Sequence, residues 1–220
     1  MRSRGGRVVA VCVGEARDVV HADGRAERTA IDKRAVDGAV PVGAEGLDGD
    51  TQVDRRFHGG VDRAVYVYAQ MDADHWAAAL RRDVLPGMLG ENLRVDGLDV
   101  SGARIGERWH LSGGVVLEVT APRMPCRTLQ GFLDVPDMIA RFTSAGRPGA
   151  YLRVVVPGAI VAGEGIAVER DVDAVEAPSV ADVMAWRKGA TETERLRTLA
   201  GLAPLAADLR AWAAETLASR

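Results

Sequence analysis

The 220-residue chain contains two cysteines, Cys12 and Cys126, and their neighbours set them apart chemically. Cys126 lies in Thr120-Ala-Pro-Arg-Met-Pro-Cys-Arg-Thr128. Pro122 and Pro125 fix their own φ and restrain the residues before them, so the sulfur sits at the end of a stiff loop. Arg123 and Arg127 flank it in sequence. Nearby cations lower a thiol's pKa and favour the thiolate, the form that attacks electrophiles and ligates soft metals. The competing reading is a small buried hydrophobe at a strand end, a common fate of a free cysteine. Cys12 lies inside the apolar run Arg7–Gly14, where burial makes a thiol inert.

A second cluster runs from Gly46 to Gly60. It packs Asp48, Asp50, Asp54, Arg55, Arg56 and His58 between glycines. Gly59 and Gly60 would let backbone amides approach an anion. Two other readings compete: a metal held by Asp50, Asp54 and His58, and a charged surface loop. Lys33 and Arg34 supply cations upstream. On a strand they would point to opposite faces, so at most one would face the interior. Arg63 could aim back at the glycine-rich loop. Asn92 can donate to an oxygen ligand, with Glu91 holding it or a cation in place.

The elements that must position these groups are mostly short strands. Arg7–Gly14, Thr29–Val36, Val61–Tyr68, Leu93–Val95, Arg104–Leu111, Val115–Thr120, Gly149–Val156 and Ile160–Glu169 carry the apolar and β-branched pattern of strands. Gly113-Gly114 reads as a tight hairpin, and Asp37-Gly38, Asp96-Gly97 and Pro157-Gly158 as turns. Asp72 is the expected N-cap of a helix through Leu80. A further helix is expected around Val135–Arg141. These short strands joined by glycine-rich turns indicate a mainly β fold, an antiparallel barrel over residues 1–172. Residues 173–220 read as three helices, the first capped by Ser179 with Asp182 completing a capping box, the others Thr191–Gly201 and Leu205–Leu217, with Pro204 at a helix start. This extension is too small to bury much core alone, so it should pack on the barrel.

The net charge of −3 gives no global basic field for nucleic acid. No apolar run approaches a membrane span, and no signal-peptide core is found after Met1. Two cysteines cannot build a disulfide framework, so a reducing, cytoplasmic setting is expected.

Taken together, Lys33-Arg34, Gly46-Leu-Asp-Gly-Asp50, Asp54, His58-Gly-Gly60, Gly90-Glu-Asn92, Ile105-Gly106, Pro122-Arg123, Pro125-Cys126 and Tyr151 with Arg153 resemble the MOSC domain, the fold of the molybdenum-cofactor sulfurase C-terminus. The tail from Ser179 is similar to the three-helix extension of its stand-alone YiiM-like branch. The resemblance covers nearly the whole chain. It departs at Glu107, where Asp is usual, at Ala150, where an aromatic is common, and at Arg127-Thr128.

The resemblance implies a mostly antiparallel β-barrel and a molybdenum cofactor (molybdopterin) pocket. Cys126 would be the catalytic residue as metal ligand, or instead a sulfur donor or carrier. It also implies reduction of N-hydroxylated compounds such as hydroxylaminopurines and amidoximes. The cofactor-binding residues expected on this basis are Lys33, Arg34, Asp54, His58, Gly59, Gly60, Arg63, Glu91, Asn92 and Arg123. The cations and glycine amides suit the phosphate, and a soft thiolate suits a metal already bound by sulfur. A cofactor carrier, or an anion-binding module with an inert thiol, are the other functions in play. Electrons are expected from a separate flavin or iron–sulfur reductase, because two cysteines fall short of the about four that a cluster takes. The dinucleotide fingerprint is also missing from the glycine-rich stretches. A monomer or homodimer is expected, with no nucleic-acid or membrane partner.

Overall fold

The computed structural model describes residues 5–55, 58–170, 176–189 and 191–220. Its strands are β1 (Gly5–Val13), β2 (Arg17–Val20), β3 (Ala26–Thr29), β4 (Arg34–Val36), β5 (Val40–Gly43), β6 (Gly46–Leu47), β7 (Val65–Ala69), β8 (Leu93–Asp96), β9 (Arg108–Leu111), β10 (Val116–Pro122), β11 (Ala150–Val156), β12 (Gly158–Ile160) and β13 (Gly165–Glu169). Its helices are α1 (Gln70–Leu80), α2 (Arg127–Leu133), α3 (Met138–Ala145), α4 (Val180–Lys188), α5 (Thr193–Gly201) and α6 (Ala207–Ala218).

The main sheet runs β13-β9-β10-β11-β7-β8-β1 and closes on itself where β1 pairs with β13. Closure leaves these strands no free edge for pairing with another chain. Every pair in the barrel is antiparallel except β7–β8, so the barrel is mixed rather than wholly antiparallel. The exception has a plain cause: α1 crosses over between these two strands and returns the chain in the same direction. β4 pairs beside β1, β12-β5-β6 form a second small sheet, and β2-β3 form a separate hairpin.

Val8, Val67, Leu93, Val95, Leu117 and Val119 turn inward and are buried. The same apolar cluster continues through Val180, Leu196, Leu205 and Ala213 of the C-terminal helices. The extension therefore packs on the barrel and shares its core. The boundary expected between residues 172 and 173 lies outside the described residues. No described helix is long and apolar enough to cross a membrane.

Several local expectations shift. Val61–Arg63 form a 3-10 turn, and β7 starts only at Val65. Thr29–Val36 splits into the end of β3, a connecting stretch and β4. Asp72 is not an N-cap: α1 begins at Gln70, and Asp72 lies buried, paired with Arg147 and accepting from Ser101 Oγ at 2.8 Å. A single helix around Val135–Arg141 becomes two, because Asp134 ends α2 at φ 49° and Pro136 comes soon after. The first capping box is as expected, with Asp182 N–H donating to Ser179 Oγ at 3.1 Å. Pro204 precedes α6 by a short stretch rather than starting it.

Candidate functional site

The β10–β11 ladder shifts register between Val119 and Ala121. Such irregularities bend a strand and re-aim the chain beyond them. Here that chain is Pro122, Arg123 and the stiff loop to Cys126, which stands immediately before α2. Cys126 opens onto a cavity of about 200 Å³ shared by Lys33, His58, Arg63, Tyr66, Arg123 and Tyr151. Arg123 is buried, with Nη2 3.7 Å from Cys126 Sγ and its guanidinium over the Tyr66 and Phe142 rings at 6.0 and 5.6 Å. His58 Nδ1 and the Tyr151 hydroxyl lie 3.2 Å apart.

Burial alone would raise the Cys126 thiol. The Arg123 charge, the neighbouring His58 ring and the Leu129 N–H together outweigh it and bring the thiol down to about 6. At neutral pH the sulfur is a thiolate. Arg127, the other expected flanking cation, is exposed and stands outside the cavity lining. Burial pushes Tyr151 up to about 12, so it remains a neutral phenol. Burial, reinforced by Glu91, pushes Cys12 up to about 12, in keeping with the structural role expected of it.

The expected binding residues divide. Lys33, Asp54, His58, Arg63, Asn92 and Arg123 all line the cavity. Arg34 does not: it is exposed, with Nη2 2.8 Å from Asp32 Oδ2, while Lys33 next to it is buried. Of the two cations only Lys33 faces the interior, although it lies just before β4 rather than on the strand that the opposite-face argument assumed. Glu91 also stands outside the lining. It is fully buried against Arg94, and accepts the Gly87 and Leu89 N–H groups at 2.9 and 3.0 Å. It holds a cation as one reading anticipated, but that cation is part of the core. Gly59 and Gly60 form no open cradle. The Gly60 N–H is already given to Gln52 Oε1 at 2.8 Å, and a Cβ on Gly59 would sit 2.5 Å from the same oxygen.

Asn92 braces the wall more than it presents a free donor. Its Oδ1 accepts the Tyr66 N–H at 3.1 Å, and its Nδ2 donates to Asp50 Oδ2 at 2.9 Å. Asp50 is the hub here, since it also pairs with Lys33 and accepts the Gly14 N–H at 2.9 Å. Its commitment to Lys33 and Asn92 argues against the metal reading of Asp50, Asp54 and His58. Among the described residues, no group of three or more His, Cys, Asp or Glu side chains is arranged to hold a metal ion.

Among the wall residues that sequence reasoning did not name as binding groups are Tyr66, Tyr151, Glu27 and Thr128. Tyr66 was legible only as one of the alternating aromatics of Val65–Tyr68. Tyr151 stood among the matched residues without a role. Glu27 and Thr128 come from elements far apart in sequence, and meet with Thr128 Oγ1 donating to Glu27 Oε2 at 3.1 Å.

The MOSC domain family matches residues 54–167 of this chain. The chain is 32% identical over 182 residues to Protein YiiM of Escherichia coli, covering 79% of each. It is 35% identical over 144 residues to the uncharacterised protein YflK of Bacillus subtilis, across 66% of this chain and 65% of that protein. A protein of Gibberella moniliformis named Reductase is 34% identical over 63% of this chain but only 25% of its own length. Among solved structures, YiiM from Geobacillus stearothermophilus superposes with a TM-score of 0.79 at 24% identity, covering 96% of this chain and 99% of that one. YiiM from Escherichia coli gives 0.75 at 22% identity, covering 100% and 94%. At those identities the structural likeness speaks for the fold.

Proposed function

We propose that this chain, which belongs to the MOSC domain family, is a molybdenum-cofactor-binding reductase of N-hydroxylated compounds of the hydroxylaminopurine or amidoxime type. One observation carries the reading: a thiolate at Cys126, held ionised beside buried Arg123, opens onto a cavity walled by cations and phenols. This donor set fits the cofactor. A soft thiolate suits a metal already bound by sulfur, and guanidinium and imidazole groups suit a phosphate. Cys126 would hold the metal, and Arg63, His58 and Lys33 would face the anionic part, with Lys33 already paired with Asp50. When bound, the cofactor supplies the redox chemistry.

The chain's own residues bind, orient and hold protons. Arg123 keeps Cys126 free of its proton. Tyr151 keeps its phenolic proton and places the hydroxyl 3.2 Å from His58 Nδ1. Arg123 is itself buried, with the Tyr66 ring centroid 6.0 Å from its guanidinium carbon. The match to Protein YiiM supports the reading, and so does the name of the fungal relative, although that match spans a quarter of the named protein.

The test is molybdenum content and amidoxime reduction with a chemical electron donor, in protein made with an intact cofactor pathway. Wild type should carry molybdenum and turn over, whereas Cys126→Ser should lose both. Wild type devoid of molybdenum would sink the reading. The same thiolate also suits a sulfur carrier, and an added sulfur on Cys126 by mass spectrometry, without molybdenum, would favour that instead.

Electrons come from a separate flavin or iron–sulfur reductase. The loaded chain should be inactive with NADH or NADPH alone and active with a chemical reductant. Robust NADH-driven turnover by the pure chain would overturn this part.

A further inference from the structure

Two adjacent residues at the cavity lip exchange contacts with two adjacent residues at the start of the last helix. Arg63 Nη2 donates to both carboxylate oxygens of Asp208, at 2.8 and 2.9 Å. Asp62 returns the contact, its Oδ2 accepting the Ala207 N–H at 2.8 Å. That N–H is among the donors that a helix start leaves without an intrahelical partner. Asp62 Oδ1 also takes Arg153 Nη2 at 2.8 Å, and the same nitrogen donates to Pro204 O at 3.0 Å. The Ala206 N–H donates to Thr120 O at 3.0 Å, on the strand that leads to the cysteine loop. The entry to α6 is thus tied to the same short stretches that shape the cavity.

Arg63 faces both ways. Its guanidinium lines the cavity with Cys126 and stands 6.0 Å from the Tyr151 ring centroid. Asp208 engages Nη2 alone, and Nε and Nη1 have no partner among the described residues. A guanidinium is a planar fork of donors, so a carboxylate fixed on one nitrogen sets the plane of the rest.

Asp208 could instead compete with an incoming anion for Arg63, and geometry decides between the two roles. Asp208 is 48% exposed against 10% for Arg63, so water and salt screen its charge on the outer side. The inner edge is left to the cavity. An unheld arginine gives up much rotamer freedom each time it orders on a ligand.

We propose that Asp208 is a positioning residue: it holds Arg63 so that the remaining guanidinium edge receives a phosphate ester or similar dianion in the Cys126 cavity. The C-terminal helices are then part of the site. This deepens the cofactor-binding reading and rests on it for the identity of the anion.

The experiment measures inorganic phosphate binding by calorimetry, at physiological ionic strength, on the full chain. Circular dichroism confirms that each variant is folded. Wild type should bind, and Arg63→Met should abolish binding. Asp208→Asn should weaken it by about five-fold, within the range of coupling in one ion-pair network. Asp208→Glu, which keeps the charge at a shifted position, should lose less and serves also if Asp208→Asn does not fold. Arg63→Lys should keep a weaker, measurable affinity, and in that background Asp208→Asn should change it less than in wild type, an outcome a merely structural role would not produce.

Wild type that ignores phosphate, or Asp208→Asn that binds it equally or more tightly, overturns the proposal. Molybdenum content separates the two claims. Wild type that binds phosphate through Arg63 and Asp208 but carries no molybdenum refutes the cofactor reading and leaves the positioning role. Protein that takes up molybdenum when made with the cofactor pathway, but whose cofactor-free form binds phosphate regardless of Asp208, refutes the positioning role alone.

Discussion

Cys126 and Cys12 differ by environment rather than by type, and the difference is measurable as reactivity. Iodoacetamide should modify Cys126 in the native protein and leave Cys12 untouched until the chain is denatured. The rate at Cys126 should reach half its plateau near pH 6, where burial is outweighed by Arg123, His58 and the Leu129 N–H. Arg123→Met keeps the burial and removes the largest opposing charge, so the profile should move up, toward or past the ordinary thiol value of 9.0. A wild-type rate that rises only near that ordinary value would refute the argument. Stability is linked to the same group. The folded-state value lies below the ordinary one, so this thiolate's stabilisation is complete above 9.0 and is lost as pH falls through about 6. Glu91 offers a contrast at the same scale. It is buried with Arg94 and does not touch the cavity, so Glu91→Ala should leave an unpaired buried guanidinium and cost about 3–5 kcal/mol. Urea denaturation reads that loss. Wild-type stability with selective loss of anion binding would return Glu91 to the site.

The β2–β3 hairpin and the start of α2 contribute Glu27 and Thr128 to the cavity wall. His21 is buried, with Nε2 2.6 Å from Glu27 Oε1, and Arg25 Nη2 donates to Arg127 O at 3.1 Å. The fit depends on Gly131, where an added Cβ would sit 2.5 Å from His21 Nδ1. Gly131→Ala should therefore push the hairpin off the helix, with an overpacking cost of about 1–3 kcal/mol. Thermal denaturation gives the cost. Alkylation of Cys126 should also speed up, because Glu27 and Thr128 would no longer close that wall. An unchanged melting temperature and unchanged alkylation would show that the hairpin yields without consequence.

Across the whole molecule, the closed barrel and the three C-terminal helices share one apolar core. Leu205 is fully buried where the chain enters α6, and Leu209 continues the contact in the first turns. Leu205→Ala should cost about 2–5 kcal/mol as a cavity in that shared core. Barrel and extension should still melt together in one calorimetric transition, since neither buries its surface without the other. Two separate transitions, with the mutation moving only the smaller, would mean that the extension is an independent unit.

Much of this was determined by the sequence alone. The strands around Val8, Val67 and Val119 arise from apolar alternation, which is local, and the capping box at Ser179 and Asp182 needs only neighbours in the chain. The reactive thiol was legible for the same reason, since Arg123 lies three residues before it. Tertiary structure decided which polar groups are free. Lys33 is committed to Asp50, Glu91 to Arg94 and the Gly60 amide to Gln52, while Arg34 is turned outward and Arg63 is held by Asp208. A charged residue in a sequence has no partner until the chain folds. The distance that decides between a binding group and a structural one spans as many as 145 residues between Arg63 and Asp208, a separation that local pattern does not encode. The same holds for the parallel β7–β8 pair. Strand character is written in side chains, but direction is set by how the α1 crossover packs.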